Sequence, residues 1–317
     1  MGNYRTSFAA LAVLVCSVAL AGCSNVKSES LPVESRPANA APRAPSLQYT
    51  GQWGVKGDGP GQLSQPSGIA TDALGDVFLV DSGSAFISKF AYEGKPLLSF
   101  QEDGMNHPQA IALDRGGAIY VADPVRSSVF IFLPNGDRFR ELRLRTRANI
   151  ENALSVAVGD DGMIHVLNPS AGKIFTFTIR QRLVQTSEPR ETVSGTGRFG
   201  PIVAGPDGFL YLGTPSRGIM KLTRDGHLIT ELVAANGVVW NPNTGFAVWN
   251  NVVFVMDANG LTLHIVTTDG VPNLDVDLAP QLGQGKRRPP PIAVSSRPEL
   301  LVLDAPESRV LRYHVSF

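Results

Sequence analysis

Cysteine is almost missing from this chain: 317 residues hold only Cys16 and Cys23, both near the N-terminus. Whatever folds beyond them has no thiol for a disulfide, a thiolate metal site or a cysteine nucleophile. Histidine is scarce too. His107, His165, His227, His264 and His314 include no pair at i,i+2 or i,i+4 spacing, so no short metal motif is present. A nucleophile elbow of the Gly-x-Ser-x-Gly type, a phosphate-binding loop and a paired-carboxylate motif are all absent, and nothing calls for a cofactor. Neither sign of charge is in excess, since 28 Lys and Arg balance 28 Asp and Glu. That balance argues against a general nucleic-acid or anionic-membrane binder, and no nucleic acid is expected as a partner. The longest apolar run, Phe8 to Ala21, is about 14 residues, short of the ~20 that span a bilayer.

That run, after Arg5, has the length of a signal h-region. It ends in Leu20-Ala-Gly-Cys23, which resembles a bacterial lipobox. The resemblance implies cleavage before Cys23 and lipidation of it, so that residues 1–22 are a signal peptide and the membrane is a partner through the lipid. Ser24, not Asp, follows the cysteine, which by the same resemblance favours the outer membrane, facing the periplasm. Residues 23–46 contain Pro32, Pro37, Pro42 and Pro45 among Ser, Glu, Ala and Asn with no apolar period, and read as a tether. Its flexible reach is roughly 25 to 30 Å.

The rest of the chain, 47–317, is organised by one recurring phrase. Gly75-Asp-Val-Phe-Leu-Val-Asp81 returns as Gly117 to Asp123, Gly162 to Asn168, Gly208 to Thr214, Asn251 to Asp257 and Pro298 to Asp304. The steps between closing residues are 42, 45, 46, 43 and 47, a period that marks propeller blades. Each phrase is an apolar run with an aromatic or bulky residue in its middle, His165 in the third, so both faces of that strand are expected to be covered. The closing Asp, Asn or Thr is expected to serve a following turn. A run with a small-residue centre precedes each phrase. A third run follows it and ends in what read as two-residue hairpins, as at Glu93-Gly94 and Asn135-Gly136. A fourth strand completes each unit. Six units of four antiparallel strands make an all-β, six-bladed β-propeller. The last unit ends one strand short, and Leu47 to Trp53 is expected to supply that strand and close the ring. With 43% hydrophobic residues, a domain of this length can bury a sufficient core without disulfides.

The chain resembles the NHL-repeat propellers. The carrying residues are Gly57-Asp-Gly-Pro-Gly-Gln-Leu63 leading into Gln65-Pro-Ser-Gly-Ile-Ala70 and Val80-Asp81, then His107-Pro-Gln-Ala-Ile-Ala-Leu-Asp114 leading into Val121-Ala-Asp123. The match fades in blades three to five and partly returns in Asp304-Ala-Pro-Glu-Ser-Arg-Val310. This resemblance implies a fold far more than a function.

Two functions remain open at this point. One is an envelope lipoprotein whose propeller binds or scaffolds a protein, or an anionic glycan or lipid. The alternative is a periplasmic hydrolase or lyase with a metal held in the central channel. The long inter-blade connections and the turns after each phrase share one face, where variable loops carry binding on a rigid scaffold. Those connections hold Asp58, His107, Asn149, Arg198, Phe199, Trp240, Asn241, Lys286, Arg287 and Arg288, and the turns add Arg126, Arg217 and Arg309. Trp240 beside these cations suits an acidic partner, or else plugs the channel mouth. His165, in the aromatic position of its phrase, reads as a core residue. Arg138, Arg140, Arg143, Arg145 and Arg147 read as a guard on an outer edge strand.

Overall fold

A computed structural model describes residues 45–145, 155–169, 171–189, 199–214, 218–234, 240, 245–285 and 288–316. The chain divides into two units, Met1–Ala41 and Pro42–Phe317, of which the first lies wholly outside the described residues. The second is a six-bladed β-propeller. Among the described residues no helix is long and apolar enough to cross a membrane.

Strand β1 (Ser46–Trp53) precedes the first blade, which takes β2 (Pro66–Thr71), β3 (Val77–Asp81), β4 (Ile87–Phe90) and β5 (Pro96–Phe100). Blade two is β6 (Ala110–Leu113), β7 (Ile119–Asp123), β8 (Ser128–Phe132) and β9 (Arg138–Arg143). Blade three is β10 (Ser155–Val158), β11 (Ile164–Asn168), β12 (Lys173–Phe177) and β13 (Leu183–Ser187). Blade four is β14 (Ile202–Ala204), β15 (Leu210–Thr214), β16 (Gly218–Leu222) and β17 (Leu228–Leu232). Blade five is β18 (Phe246–Trp249), β19 (Val252–Met256), β20 (Thr262–Thr267) and β21 (Pro272–Asp277). Blade six combines β22 (Ile292–Val294), β23 (Glu299–Asp304) and β24 (Arg309–Ser316) with β1 as its outer strand.

The recurring phrase is the second strand of each blade, and its uninterrupted apolar character has a direct cause. Val77 and Leu79 pack toward blade six, against Leu301, Leu303 and Val310, while Phe78 and Val80 pack toward blade two, against Ile119, Val121 and Phe130. The same interleaving fills the other junctions, so every second strand is covered on both faces. Each such fully buried side chain contributes about 1.5–3 kcal/mol. The hairpins depart from expectation in one respect. The Gly94 N–H donates to Ala91 O and the Ala91 N–H to Lys95 O, which makes Tyr92, Glu93 and Gly94 a three-residue loop with a bulged glycine at φ 94°. Gly136, Gly226 and Gly270 repeat it.

Ring closure follows the expected route. β1 pairs antiparallel with β24, Leu47 opposite Val315 and Trp53 opposite Val310, with a bulge between Tyr49 and Gly51. Trp53 then lies against Phe90 of blade one, ring centroids 4.7 Å apart. Tyr92 of blade one sits beside Arg297 and Arg312 of blade six, 5.3 and 4.9 Å from its ring centre. The two ends of the propeller are therefore joined by backbone pairing within blade six, and blade six is held to blade one by apolar packing and cation–π contact.

Candidate functional site at the channel mouth

Described residues at the starts of the innermost strands of all six blades enclose a cavity of about 740 Å³. It opens on the face that also carries the turns after each phrase, since Ser82, Ala305 and Pro306 belong to its wall.

The first two blades build their share of this wall in the same way. Gln65-Pro66 and His107-Pro108 stand at matching positions, and proline holds the residue before it in an extended conformation. The closing aspartate of the following phrase then pins that residue from behind. Asp81 accepts from the N–H groups of Ser64, at 2.7 Å, and Gln65, at 3.0 and 3.1 Å, and also from Gly83 and Ser84 in its own turn. Asp123 accepts from Asn106 at 2.6 Å, His107 at 3.0 Å and Arg126 at 3.0 Å. The turn-serving role expected of these residues holds for Asp81, Asp123, Asn168, which accepts from Ala171, and Asp257, which accepts from Leu261 and Thr262. The reach of Asp81 and Asp123 back to the channel wall was not legible in the repeat. Neighbouring blades are also tied at the mouth: Ser67 Oγ donates to Pro108 O at 3.0 Å, and Ser155 Oγ accepts from the Ile202 N–H at 3.1 Å.

The side chains on this pinned frame are left available. Gln65, His107, Gln109 and Arg288 line the cavity, and none of their side chains bonds to another described residue. No carboxylate is among the described lining residues. Among the described residues no three His, Cys, Asp or Glu side chains gather as a metal site would require.

Of the residues singled out from sequence, the structure brings His107, Phe199 and Arg288 together at the cavity. Arg126 is exposed on the same face, outside the cavity wall, and Asp58 is exposed in the loop after β1. Two expectations are corrected. Trp240 is only 5% exposed and packs between blades four and five with Ile219, Leu232 and Val253, bridged to Asp257, so it is neither a surface contact nor a channel plug. Arg309 is a structural clamp: it donates to Asp304 at 2.9 Å, to Gln52 of the closing strand at 2.7 Å and to the Gln281 carbonyl at 2.8 Å. Arg217, Lys286, Arg287, Asn149, Arg198, Asn241 and Cys23, the residue expected to carry a lipid, lie outside the described residues.

Of the outer arginines, Arg138, Arg140 and Arg143 are engaged locally, and Arg147 lies outside the described residues. Arg138 pairs with Glu102 and Glu141, Arg143 pairs with Glu141 at 3.1 Å, and Arg140 lies over Phe139 at 4.8 Å. His165 is 1% exposed with Nδ1 3.0 Å from Thr176 Oγ1, the core position expected of it. Gln65 and Gln109 were missed as lining residues. Their signal was the shared pattern of a polar residue around proline at the entry to an inner strand.

No protein-family model matches the chain, and no curated protein matches its sequence. Among solved structures it is similar to a streptogramin B lyase, at 14% identity and TM-score 0.61, over 86% of this chain and 98% of that one. It is also similar to virginiamycin B lyase from Staphylococcus aureus, at 16% identity and TM-score 0.58, over 81% of each chain. A Bacteroides thetaiotaomicron protein of unknown function aligns at 13% identity and TM-score 0.61, over 86% of this chain and 76% of that one. At these identities the likeness is one of fold.

Proposed function

We propose that this chain is a cell-envelope lipoprotein, anchored through Cys23 in the outer membrane and facing the periplasm, whose propeller is a binding module for an anionic envelope component. The observation that carries the binding role is the mouth itself: an open cavity whose available heads are two amides, an imidazole and a guanidinium, with no carboxylate among the described lining residues. Gln65 and His107, held on a pinned backbone, bind without first paying to order that backbone. The anchor rests on Leu20-Ala-Gly-Cys23, and the NHL-like entries of blades one and two supply the Gln65 and His107 positions of the mouth.

A photo-crosslinking residue placed at His107 in the full-length protein, compared with one at Arg115 on the opposite face, tests this in the native envelope. Capture from the mouth position alone supports the reading. Equal capture from both positions overturns the assignment of the face. One equivalent of tightly held metal in the purified protein, with turnover of a cleavable substrate, would favour the hydrolase or lyase alternative instead.

A further inference from the structure

Five blades open their second strand from the same turn, so equivalent positions in it can be compared. Asp72, Asp114, Gly159, Gly205 and Ser295 each donate a backbone N–H to the carbonyl four residues on, which makes them the first turn position of blades one, two, three, four and six. Two places further stand Leu74, Gly116, Asp161, Asp207 and Arg297. Across the sheet, the third strand sets Lys89, Lys221 and Arg312 opposite the phrase centres Phe78, Tyr211 and Leu301 of blades one, four and six.

In blades one and four the turn answers that cation. Lys89 pairs with Asp72 at 3.2 Å and Asp76 at 2.9 Å, and the buried Lys221 pairs with Asp207 at 3.0 Å. Blade six does the opposite. Its turn has Ser295 at the first position and Arg297 at the third, so a second cation stands where blade four has its carboxylate. Glu299 of the same blade meets Thr50 and His314 instead, at 3.4 and 3.3 Å. Among the described residues nothing bonds to Arg312: its Nε and Nη1 are buried without an acceptor, and Tyr92 of blade one offers it only a ring, 4.9 Å from the guanidinium carbon. Arg297 lies 5.3 Å from the centre of the same ring, with its Nε donating to the Leu74 carbonyl at 3.2 Å.

A ring attracts a cation but gives its N–H groups no acceptor, and a partly buried guanidinium without a counter-charge, beside a second one, is unfavourable. The surroundings leave room for an acceptor from outside the chain. Gly51 faces Arg312 across the β1–β24 pair, where a Cβ would come within 3.4 Å of Nη2, and Arg297 is exposed. We infer that Arg312 and Arg297 bind a phosphate group at the junction of blades six and one, in the role that Asp207 fills toward Lys221 in blade four. Guanidinium groups hold phosphate oxygens through charge-assisted bonds, and two of them suit an anion of up to two charges.

This site is separate from the mouth. Arg297 belongs to a turn between first and second strands, at the other end of the strands from Ala305 and Pro306 of the cavity wall. Its place gives the bound group a task, because β1 and β24 are the two ends of the propeller and Tyr92 belongs to the next blade, so the phosphate fastens the ring where it closes. Free phosphate and the head of an anionic lipid present the same group, and Ser46, where β1 begins, lies at this end of blade six opposite Ser316.

Inorganic phosphate is titrated calorimetrically into the full-length protein carrying Arg288→Ala, so that the mouth guanidinium contributes nothing, with chloride adjusted to hold ionic strength. It should bind and raise the melting temperature. Adding Arg297→Ala should weaken binding about tenfold, as the loss of one charge-assisted pair implies. Arg312→Gln should abolish it. Arg297→Asp, which gives blade six the carboxylate of blade four, should abolish it without lowering the melting temperature of the phosphate-free protein. Phosphatidylglycerol vesicles sedimented with the Cys23→Ser protein form the lipid arm. Pelleting that Arg297→Asp removes, without binding of inorganic phosphate, assigns the site to a lipid head; binding of inorganic phosphate without such pelleting assigns it to the free anion, and both together assign it to the group whatever its carrier. Phosphate that stabilises the parent and Arg297→Asp proteins equally acts as a general salt and overturns the site. Absence of binding in both arms overturns it as well.

Discussion

The carboxylate of Asp123 holds the backbone N–H of His107 at 3.0 Å, and through that bond the second strand of blade two fixes a wall of the channel. Asp123 is fully buried and accepts from three backbone N–H groups in all. Asp123→Ala would leave those donors short of acceptors, at a cost of about 2–3 kcal/mol, visible as a lowered urea midpoint. Asp123→Asn, which keeps one acceptor oxygen, should lose less. Because the same bonds position His107, crosslinking from that position should weaken in Asp123→Ala even at temperatures where the protein is folded. Equal stability of the alanine variant and the parent would show that the loop is held by other contacts.

Ring closure offers a second test. The outer strand of blade six comes from the other end of the propeller, and Arg309 ties it down by joining Gln52, Asp304 and the Gln281 carbonyl. Arg309→Ala should cost about 2 kcal/mol, since it strips a buried carboxylate of its cationic partner. Deleting residues 47–53 should lower the melting temperature much further, because it also exposes the junction that Trp53 and Phe90 cover. A deletion variant that melts with the parent would mean that the ring is closed by other means.

The propeller was legible because its cause is repeated. Each second strand is buried on two faces by neighbouring blades, so the apolar phrase recurs, and a chain that ends one strand short points to its own beginning for the missing strand. Single events leave no such trace. Trp240 stands among asparagine and proline, in a stretch without period, and only packing against Ile219 and Val253 shows that it is core. Arg309 looks like any turn cation until its three acceptors, two of them distant in sequence, are placed around it. The mouth was half legible: His107 stood out as the residue before proline at an inner-strand entry and Arg288 by its charge, whereas Gln65 and Gln109 acquire meaning only when the blades are set around one axis.

The anchor is tested apart from the fold. Cys23→Ser removes the thiol that lipidation requires, so the protein should leave the membrane fraction and change in electrophoretic mobility. Its melting temperature should match that of the parent, because the propeller begins only at β1. Membrane association that survives the substitution unchanged would rule out the lipid as the attachment.

Acid sensitivity is expected from one imidazole. Burial pushes the pKa of His165 down from 6.5 to about 4; Asp161 opposes this shift and Arg224 adds to it. Nδ1 meets Thr176, while Nε2 is buried without a partner, so a proton gained there finds no acceptor. Above pH 6.5 the group is neutral in both folded and unfolded chains, and its contribution to stability is complete. As pH falls from 6.5 toward 4 the unfolded chain binds a proton that the folded one refuses, so stability is lost across that window. The total is about 3 kcal/mol, as the size of the shift implies. Other blades place Phe78, Tyr120, Tyr211 and Phe254 at this position, so a ring that does not titrate fits the architecture. His165→Phe should cost about 1 kcal/mol at pH 8, where Thr176 loses its partner, and should flatten the fall between pH 6.5 and 4, leaving the variant more stable than the parent at pH 4.5. Urea titrations of both proteins across that range decide it, and parallel pH profiles would show that His165 is not the source of the sensitivity.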